Sequence, residues 1–419
     1  MRIKILLIAL AVLSNLLLPG KSYALSLQEC IDSALTLHPD LNAAAGRLDA
    51  KRAAIGQAEA DRKWQFSASS SYTRSGGDQD SGGAYSNKLK AEQLLYDFGK
   101  SGLKVKAAEV SQEAAAADYL TARDTVIADV REAYYSLNQA VRQTRVAATR
   151  YDNYRKRLEW AEAYYEAGTK ARIEVTKARA DLANAKLDLV KAQSEVAASE
   201  AELASAMGQP LLRLDSVDDA LAYQAYEITL EQALARALDT RPELTASRKN
   251  VEYAQLNLAL QKKGMAGSVS TSADYGFSGS APFDDRGWSA GVSLAFPLGD
   301  GGLTKSKISG AAAELATAAA EQGSLENAVR LSVRKTWEAL KSAREALTAA
   351  LASETEAQET LDLANARYQA GVGDSLEISD AVETYATAQT ATVSALYQYQ
   401  QARLELEKAM GGLADELDQ

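Results

Sequence analysis

The chain has 419 residues with a formal net charge of −10, and 47% of its residues are hydrophobic. This acidic balance argues against nucleic acid as a partner. The single cysteine, Cys30, excludes an intrachain disulfide, so we expect stability to come from packing or from assembly. Cys30 itself is expected to be a buried, inert thiol.

The first 24 residues predict a secretory signal peptide. Arg2 and Lys4 supply a charged start, Ile5 to Leu18 is apolar, and Ser22-Tyr23-Ala24 is a small-x-small cleavage site. A retained membrane helix is the weaker alternative, because the apolar run of about 14 residues is shorter than the roughly 20 residues that span a bilayer. We therefore expect the mature chain to begin at Leu25.

The rest of the sequence repeats itself with an offset of 203 residues. Leu25-Ser26-Leu27 corresponds to Ile228-Thr229-Leu230, and Met207-Gly208 corresponds to Met410-Gly411. In the middle of each repeat the offset becomes 200, which pairs Leu94, Tyr96, Phe98, Gly99 and Gly102 with Leu294, Phe296, Leu298, Gly299 and Gly302. Such order predicts a tandem structural repeat. We predict five segments: signal peptide 1–24, first repeat 25–210, inter-repeat segment 211–227, second repeat 228–412 and short acidic tail 413–419.

Each repeat opens with a pair of short helices. Leu27 to Leu41 and Leu230 to Leu244 share the pattern Leu-x-Glu/Gln-x-x-x-x-Ala-Leu followed by Pro-x-Leu. The only histidine, His38, precedes the proline of the first repeat, and Arg241 takes its place in the second. We interpret His38 as a turn residue rather than a metal ligand or a catalytic base.

A β-hairpin is predicted next in each repeat. Apolar residues alternate with small or polar residues along 65–72 and 85–95, and again along 268–277 and 288–296. Loops rich in Gly, Ser and Asp join the strands of each pair. Strands of about ten residues, apolar on one face, small or polar on the other and aromatic towards their ends, are typical of a lipid-facing β-barrel.

Four strands per chain cannot close such a barrel. An open sheet edge is not tolerated in hydrocarbon, so we predict that the chain oligomerises. Three copies would supply twelve strands, an even number within the range of known barrels. A soluble β-sandwich is the alternative, and it is weaker because nothing else in the chain would cover a second sheet.

Two long helices follow the hairpin in each repeat. Leu103 to Ala167 and Thr169 to Met207 contain neither glycine nor proline, and Leu303 to Ala370 and Asp374 to Met410 copy them with two internal glycines. A helix of this length is roughly 100 Å long at 1.5 Å per residue. The sequence therefore predicts two long helical hairpins.

The returning helices carry small or apolar residues at nine positions with 3,4 spacing. These positions are Val175, Ala178, Leu182, Ala185, Leu189, Ala192, Val196, Ser199 and Leu203, and then Ile378, Ala381, Tyr385, Ala388, Thr392, Ala395, Tyr399, Ala402 and Leu406. The spacing predicts a coiled coil. An antiparallel rod that merely spaces other parts remains open from this feature alone.

No group of residues indicates an enzyme. The sequence lacks clustered His and Cys ligands, a phosphate loop, and a nucleophile with a plausible base. The segment Gly299 to Gly302 looks superficially like a phosphate loop but lacks its spacing and lysine, so we interpret it as a strand-to-helix bend. We expect neither a cofactor nor a metal.

In this order, the features resemble the TolC-like outer membrane factor family, the trimeric exit ducts of bacterial efflux pumps and type I secretion systems. The resemblance covers residues 25–412. Besides the helical openings, it is carried by the strand exits Leu95 to Gly99 and Phe296 to Gly302, and by the hairpin tips Tyr165 to Gly168 and Tyr368 to Gly371. It implies an α+β membrane protein in which a trimeric twelve-stranded β-barrel, with four strands per chain, continues into an α-helical coiled-coil tunnel.

The same resemblance implies location and partners. The chain would form a homotrimer in the lipid of the Gram-negative outer membrane, extend into the periplasm with an equatorial region formed partly by residues 211–226, and work with a periplasmic adaptor and an inner-membrane transporter. It would be a passive conduit gated at its periplasmic tip. The alternative is an exported coiled-coil scaffold or adhesin without a pore.

The family closes its duct with a ring of carboxylates just behind the second-repeat tip. Glu377 and Asp380 match this pore constriction, and their spacing of three places them on one helix face. Ordinary solvated acidic residues near a helix start are the alternative. We prefer that alternative for Asp374, which is placed to cap the helix after Gly373.

A latch and a docking surface are also implied at the tips. Tyr368 and Glu174 match two members of the family's closed-state latch, whereas the arginine position of that latch is Gly373. The expected adaptor-contact residues are the two tips, which consist of Gly168, Thr169, Lys170, Gly371, Val372 and Gly373.

Overall fold

The computed structural model describes residues 25–76, 81–212 and 217–413. The predicted signal peptide, residues 213–216 of the inter-repeat segment and residues 414–419 of the predicted tail lie outside this part. The first repeat contains α1 Leu27–Leu37, α2 Pro39–Ala60, β1 Gln65–Gly76, β2 Ser81–Tyr96, α3 Lys100–Glu166 and α4 Arg172–Ala206. The second contains α5 Leu230–Thr240, α6 Pro242–Lys262, β3 Ser268–Gly279, β4 Asp285–Ala295, α7 Leu303–Gln369 and α8 Ser375–Met410.

The opening helices of the two repeats begin with the same cap. Ser26 accepts a hydrogen bond from the Glu29 backbone N–H, and the Glu29 carboxylate accepts one from the Ser26 N–H. Thr229 and Gln232 form the equivalent capping box of α5. These reciprocal bonds satisfy N–H groups that a helix start would otherwise leave unpaired. His38 follows α1 in an extended conformation, as expected for a turn residue.

The four strands form one antiparallel sheet in the order β1-β2-β3-β4. Register pairs Phe66 with Ala91, Ala91 with Ala273, and Ala273 with Ala290, so these residues share one face. That face exposes large apolar side chains, among them Phe66, Leu89, Trp288, Val292 and Leu294. The opposite face carries small and polar residues, and the predicted alternation is thereby confirmed.

The transition from strand to long helix corrects the sequence alignment. Asp97 accepts hydrogen bonds from the N–H groups of Gly99 and Ser101, and Asp300 accepts equivalent bonds from Gly302 and Thr304. Because Asp97 and Asp300 are equivalent, the offset has returned to 203 at the helix start. The sequence pairing of Gly99 with Gly299 and Gly102 with Gly302 was therefore wrong. The bend at Asp300 is the predicted strand-to-helix connection.

Two compact units divide the described chain. One combines residues up to His38 with Val126–Glu227 and Thr336–Leu406, and it contains both hairpin tips. The other combines Pro39–Thr125, Ile228–Lys335 and the residues from Glu407, and it contains the sheet. In the described part of the chain, no α-helix combines the length and apolar character needed to cross a bilayer.

Side chains of the first unit fix the second half of the inter-repeat segment. Tyr134 lies with its hydroxyl 2.8 Å from the Asp218 carbonyl oxygen, and Arg142 forms an ion pair with Asp219 at 3.0 Å. From α8, the Tyr399 hydroxyl donates to the Gln224 carbonyl at 2.7 Å. The two tyrosine hydrogen bonds satisfy backbone carbonyls that no regular element pairs.

The predicted heptad positions of α4 and α8 are buried or half-buried throughout. Ala178 and Ala185 of α4 are each 1% exposed, and Ile378 of α8 is 1% exposed. Small residues at these positions permit close helix approach, as a tightly packed coiled coil requires.

Candidate functional site

The two helical hairpins end in turns with the same hydrogen bonds. In the first turn, the N–H groups of Gly168 and Thr169 donate at 3.0 Å to the carbonyls of Tyr165 and Tyr164. In the second turn, 203 residues later, Gly371 and Val372 donate at 3.0 and 3.1 Å to Tyr368 and Arg367. The duplication therefore extends to the backbone of both tips, which lie in the same compact unit.

Glycine is required at three tip positions for two reasons. Gly168 and Gly371 have φ values of 71° and 76°, a left-handed conformation that other residues adopt only with strain. At Gly373 the reason is close approach, because a Cβ there would lie 2.8 Å from the backbone nitrogen of Tyr368. In this conformation the turn has no room for the arginine that the family latch carries at this position.

Equivalent tyrosines of the two tips differ in burial. Tyr165 is 45% exposed, whereas Tyr368 is 1% exposed. The Tyr368 ring packs edge-on against Tyr164 at 5.5 Å and lies 6.1 Å from Trp160. The ammonium of Lys170 lies 5.9 Å from the centre of the same ring. Tyr368 of the second hairpin is thus enclosed by side chains of the first.

The two latch candidates lie near each other but do not bond directly. Glu174 accepts a hydrogen bond from the hydroxyl of Ser375 at the start of α8. The Tyr368 hydroxyl is buried and has no hydrogen-bond partner among the described residues. Burial raises the pKa of Tyr368, and the nearby Glu174 carboxylate raises it further. Both observations favour a neutral phenol.

A buried arginine joins the two hairpins beside this pair. Arg157 of α3 is 1% exposed and forms an ion pair with Asp181 of α4. The same guanidinium donates to the hydroxyls of Ser379 and Ser375 on α8, at 3.0 and 3.2 Å. Because Ser375 in turn donates to Glu174, one network connects three helices at the tips.

A second arginine repeats this arrangement seven residues earlier on α3. Arg150 pairs with Asp188 of α4 at 2.5 Å and with Glu383 of α8 at 2.7 Å. Its guanidinium also lies 5.7 Å from the centre of the Tyr154 ring. Each arginine thus bridges the two hairpins of one chain through carboxylates or hydroxyls.

These arginines are not among the residues predicted from the sequence, although their spacing along α3 is a signal for burial. Arg150, Tyr154, Arg157 and Ala161 follow 4,3,4 spacing, which is the spacing of a buried helix stripe. Charged residues in such a stripe are costly unless they are paired. Their partners, however, lie on two other helices, and no spacing in the sequence identifies them.

The constriction candidates lie just behind the second tip. Glu377 is half-buried and pairs with Arg367 of α7 at 3.0 Å, whereas Asp380 is exposed. Asp374 accepts a hydrogen bond from the Leu376 N–H at 3.3 Å, so its predicted role as a cap of α8 is confirmed. The three acidic residues therefore have different local environments.

The adaptor-contact candidates have mixed exposure. Val372 is 71% exposed, and Gly168, Thr169 and Gly371 are also exposed. Lys170 is half-buried over the Tyr368 ring, and Gly373 is buried in its turn. Four of the six candidates are therefore available to a partner.

The described residues include no group of three or more His, Cys, Asp or Glu placed to hold a metal ion. Cys30 is fully buried, as expected, and burial raises its pKa to about 11. Such a thiol stays protonated and unreactive at neutral pH.

Comparison with known proteins decides the family. The sequence profile of the outer membrane efflux proteins matches residues 30–209 and again residues 233–412. The two matches are offset by 203 residues at both ends, which is the offset of the repeat. The chain belongs to the outer membrane efflux protein family. This family forms conduits rather than enzymes, and the chain is an outer membrane exit duct of the efflux-pump type. The scaffold or adhesin alternative is not favoured.

Individual relatives agree with this assignment. Outer membrane protein TolC of Salmonella enteritidis is 24% identical over 94% of this chain and 84% of its own length. The solved structure of the outer-membrane channel OprN is 22% identical and superposes with a TM-score of 0.79, covering 92% of this chain and 90% of that one. CusC gives 0.80 at 18% identity, covering 94% and 95%.

These structures confirm the predicted fold class. Four strands per chain, an internal repeat and long helical hairpins are the plan of trimeric channels in which a β-barrel continues into a helical tunnel. The channel is located in the Gram-negative outer membrane and extends into the periplasm.

Proposed function

We propose that this efflux channel is gated at its hairpin tips by the polar network around Arg157. The observation that supports this is the burial of one guanidinium among Asp181, Ser375 and Ser379, which belong to two different hairpins. Separating the hairpins would expose the guanidinium and its partners to water or leave them without partners. Leaving a buried charge without its partner costs several kcal/mol. The network therefore favours the arrangement in which the hairpins of one chain stay together.

Within this gate, Tyr368 and Glu174 form the latch by different means. Tyr368 contributes its buried ring, which fills a pocket made by Trp160 and Tyr164. Glu174 contributes its hydrogen bond with Ser375. Arg157 supplies the cation of this latch from α3, since Gly373 leaves no room for one at the turn.

Glu377 and Asp380 form the pore constriction in this proposal. Three copies of each would bring six carboxylates around one axis, and their repulsion would be relieved by cations. Arg367 already neutralises part of the Glu377 charge at 3.0 Å. We therefore expect Asp380 to make the larger contribution to cation binding.

Docking of a periplasmic adaptor at the two tips completes the function. The exposed tip residues are Gly168, Thr169, Gly371 and Val372. The duct is passive, so energy and choice of cargo come from an inner-membrane transporter joined through the adaptor. Binding at the tips would act directly on the hairpins that the network holds together.

Single-channel recording in planar bilayers tests the constriction. Wild-type channels should be cation-selective and blocked by multivalent cations from the periplasmic side. Glu377→Gln with Asp380→Asn should abolish the block, and Asp380→Asn alone should weaken it more than Glu377→Gln alone. Asp374→Asn is the control, because it removes a neighbouring charge while asparagine keeps the helix cap. Unchanged block and reversal potential in the double variant would remove both residues from the constriction.

A further inference from the structure

The apolar face of the sheet is organised in rows that cross all four strands. The first row contains Phe66, Ala91, Ala273 and Ala290. The next row towards the β1–β2 and β3–β4 loops contains Ala68, Leu89, Tyr275 and Trp288. Small side chains beside large ones leave a groove of about 620 Å³ along these two rows. Both rows consist of apolar or amphipathic side chains that suit lipid acyl chains.

The third row is different because it contains polar side chains. Its members are Ser70, Asn87, Phe277 and Arg286. The Ser70 hydroxyl donates to the Asn87 side-chain oxygen at 2.6 Å, and Arg286 is exposed. A second exposed arginine, Arg74, lies on the same face still closer to the loop. A guanidinium group is costly inside hydrocarbon, so the row that contains Arg286 belongs at the level of the headgroups.

Strand length supports this placement independently. In three of the strands, ten residues counted inclusively run from the helix-proximal end to the third row, along Asn87 to Tyr96, Ser268 to Phe277 and Arg286 to Ala295. The shorter β1 contributes six, Gln65 to Ser70. A tilted strand needs about 9–11 residues to cross a bilayer. In β2, β3 and β4, the stretch from the helix-proximal end to the third row therefore has the length that spans the hydrocarbon.

The chemistry of the leaflet at this row follows from orientation. The helices extend into the periplasm, so the strand ends joined by the loops face the cell exterior. The outer leaflet of a Gram-negative outer membrane consists of glycolipid that carries phosphate groups on its sugars. Arginine matches phosphate in geometry as well as charge, because its planar fork donates two parallel hydrogen bonds.

We propose that Arg74 and Arg286 bind the headgroup phosphates of outer-leaflet glycolipid on the lipid-facing side of the barrel. Ser70 and Asn87 offer further polar contacts at the same level. Phe283 of the β3–β4 loop packs on Phe277 at 5.3 Å and borders a second groove of about 380 Å³ below the arginines. In this proposal, the acyl chains of the glycolipid occupy the two grooves, and its phosphates bind the guanidinium groups of Arg74 and Arg286.

Native mass spectrometry of the delipidated trimer, titrated with diphosphorylated lipid A, tests this assignment. Arg74→Gln with Arg286→Gln should weaken lipid A binding about tenfold, as expected for the loss of charge-assisted hydrogen bonds. Lys88→Gln with Lys90→Gln is the matched control, because it removes the same charge from the opposite face of the same sheet. This control should bind lipid A as the wild type does, and dephosphorylated lipid A should bind the wild type about as weakly as lipid A binds the arginine variant.

Three results would overturn the proposal. The first is unchanged lipid A affinity in the arginine variant, and the second is an equal loss in the lysine control. The third is phosphatidylglycerol binding as tightly as lipid A with the same dependence on the arginines, which would reject the outer-leaflet glycolipid as the specific ligand. The same spectra report whether each variant is still a trimer, so a folding defect is recognised directly.

Discussion

The hairpins α3–α4 and α7–α8 have closely similar backbones and different side chains at equivalent positions. α3 and α7 each have 67 residues, while α4 and α8 have 35 and 36. Tyr165 of the first tip is 45% exposed, yet its counterpart Tyr368 is 1% exposed. Duplication thus preserved the turn while the environment of each copy diverged.

Charge differs between the hairpins in the same way. The buried Arg157 of α3 has Thr360 as its counterpart on α7, which lies 203 residues later. Behind the tips, the first repeat has Glu174 and Lys177, whereas the second has Glu377 and Asp380. The first hairpin therefore provides the cation of the inter-hairpin network, and the second provides the doubly acidic helix start. Paired variants at equivalent positions can test whether these differences have functional meaning.

Replacing the buried arginine should have the largest effect. Arg157→Met leaves Asp181 without its cation and removes the donor to Ser375 and Ser379, and we expect a local destabilisation of roughly 3 kcal/mol. Closed-state conductance in bilayers should rise several-fold. Arg179→Gln is the control, because it breaks an ion pair with Glu162 that also joins α3 to α4 but is exposed, and such pairs contribute under about 1 kcal/mol. Equal conductance in the two variants would contradict a gating role for Arg157.

Bulky tip residues should block export without unfolding the channel. Thr169→Trp and Val372→Trp change equivalent exposed positions, so neither requires a buried space to be filled. We expect each to reduce adaptor co-purification and dye efflux from cells, with the trimer intact. Gly168→Trp and Gly371→Trp should act similarly, with about 1 kcal/mol of added backbone strain. Normal efflux in all four variants would place the adaptor surface elsewhere.

Removing single hydroxyl groups should have a small effect. Tyr368→Phe deletes a buried hydroxyl that has no partner in the described chain and keeps the ring contacts, so stability should change by less than about 1 kcal/mol. Tyr165→Phe, at the exposed equivalent position, should be neutral as well. Thermal unfolding and conductance measure both. A rise in conductance specific to Tyr368→Phe would contradict this expectation and show that the hydroxyl itself contributes to closure.

The smallest effect concerns the buried thiol, whose counterpart in the second repeat is Ala233. Burial raises the pKa of Cys30 from 9.0 to about 11, so the unfolded chain loses this proton at lower pH than the folded chain. The contribution of Cys30 to stability is complete below about pH 9 and is lost as pH rises towards 11. Cys30→Ala should remove this part of the alkaline stability loss, as denaturation at pH 8 and pH 10.5 would show. Rapid maleimide labelling of native protein at pH 7.5 would contradict the buried thiol.

The sequence alone determined most of the fold. Absence of proline and scarcity of glycine located the long helices to within three residues at their ends, and alternation located the strands. Both signals are local, because a helix or strand can be recognised from its own residues. Self-similarity supplied the repeat. At the strand-to-helix bend, the alignment of the two repeats was wrong. The second repeat has three extra residues near Pro297, and their position became clear only from the aspartates that cap the helices, Asp97 for α3 and Asp300 for α7.

The gate and the lipid-facing arginines depended on tertiary structure for a different reason. The spacing of Arg157 on α3 marks it as buried, but its partners Asp181, Ser375 and Ser379 come from sequence positions between 24 and 222 residues away. Likewise, only register across three strand pairs places Arg286 level with Ser70. Sequence periodicity shows which side of an element is buried or exposed. Which elements meet on that side is decided by packing, because contacts between distant segments leave no regular spacing in the chain.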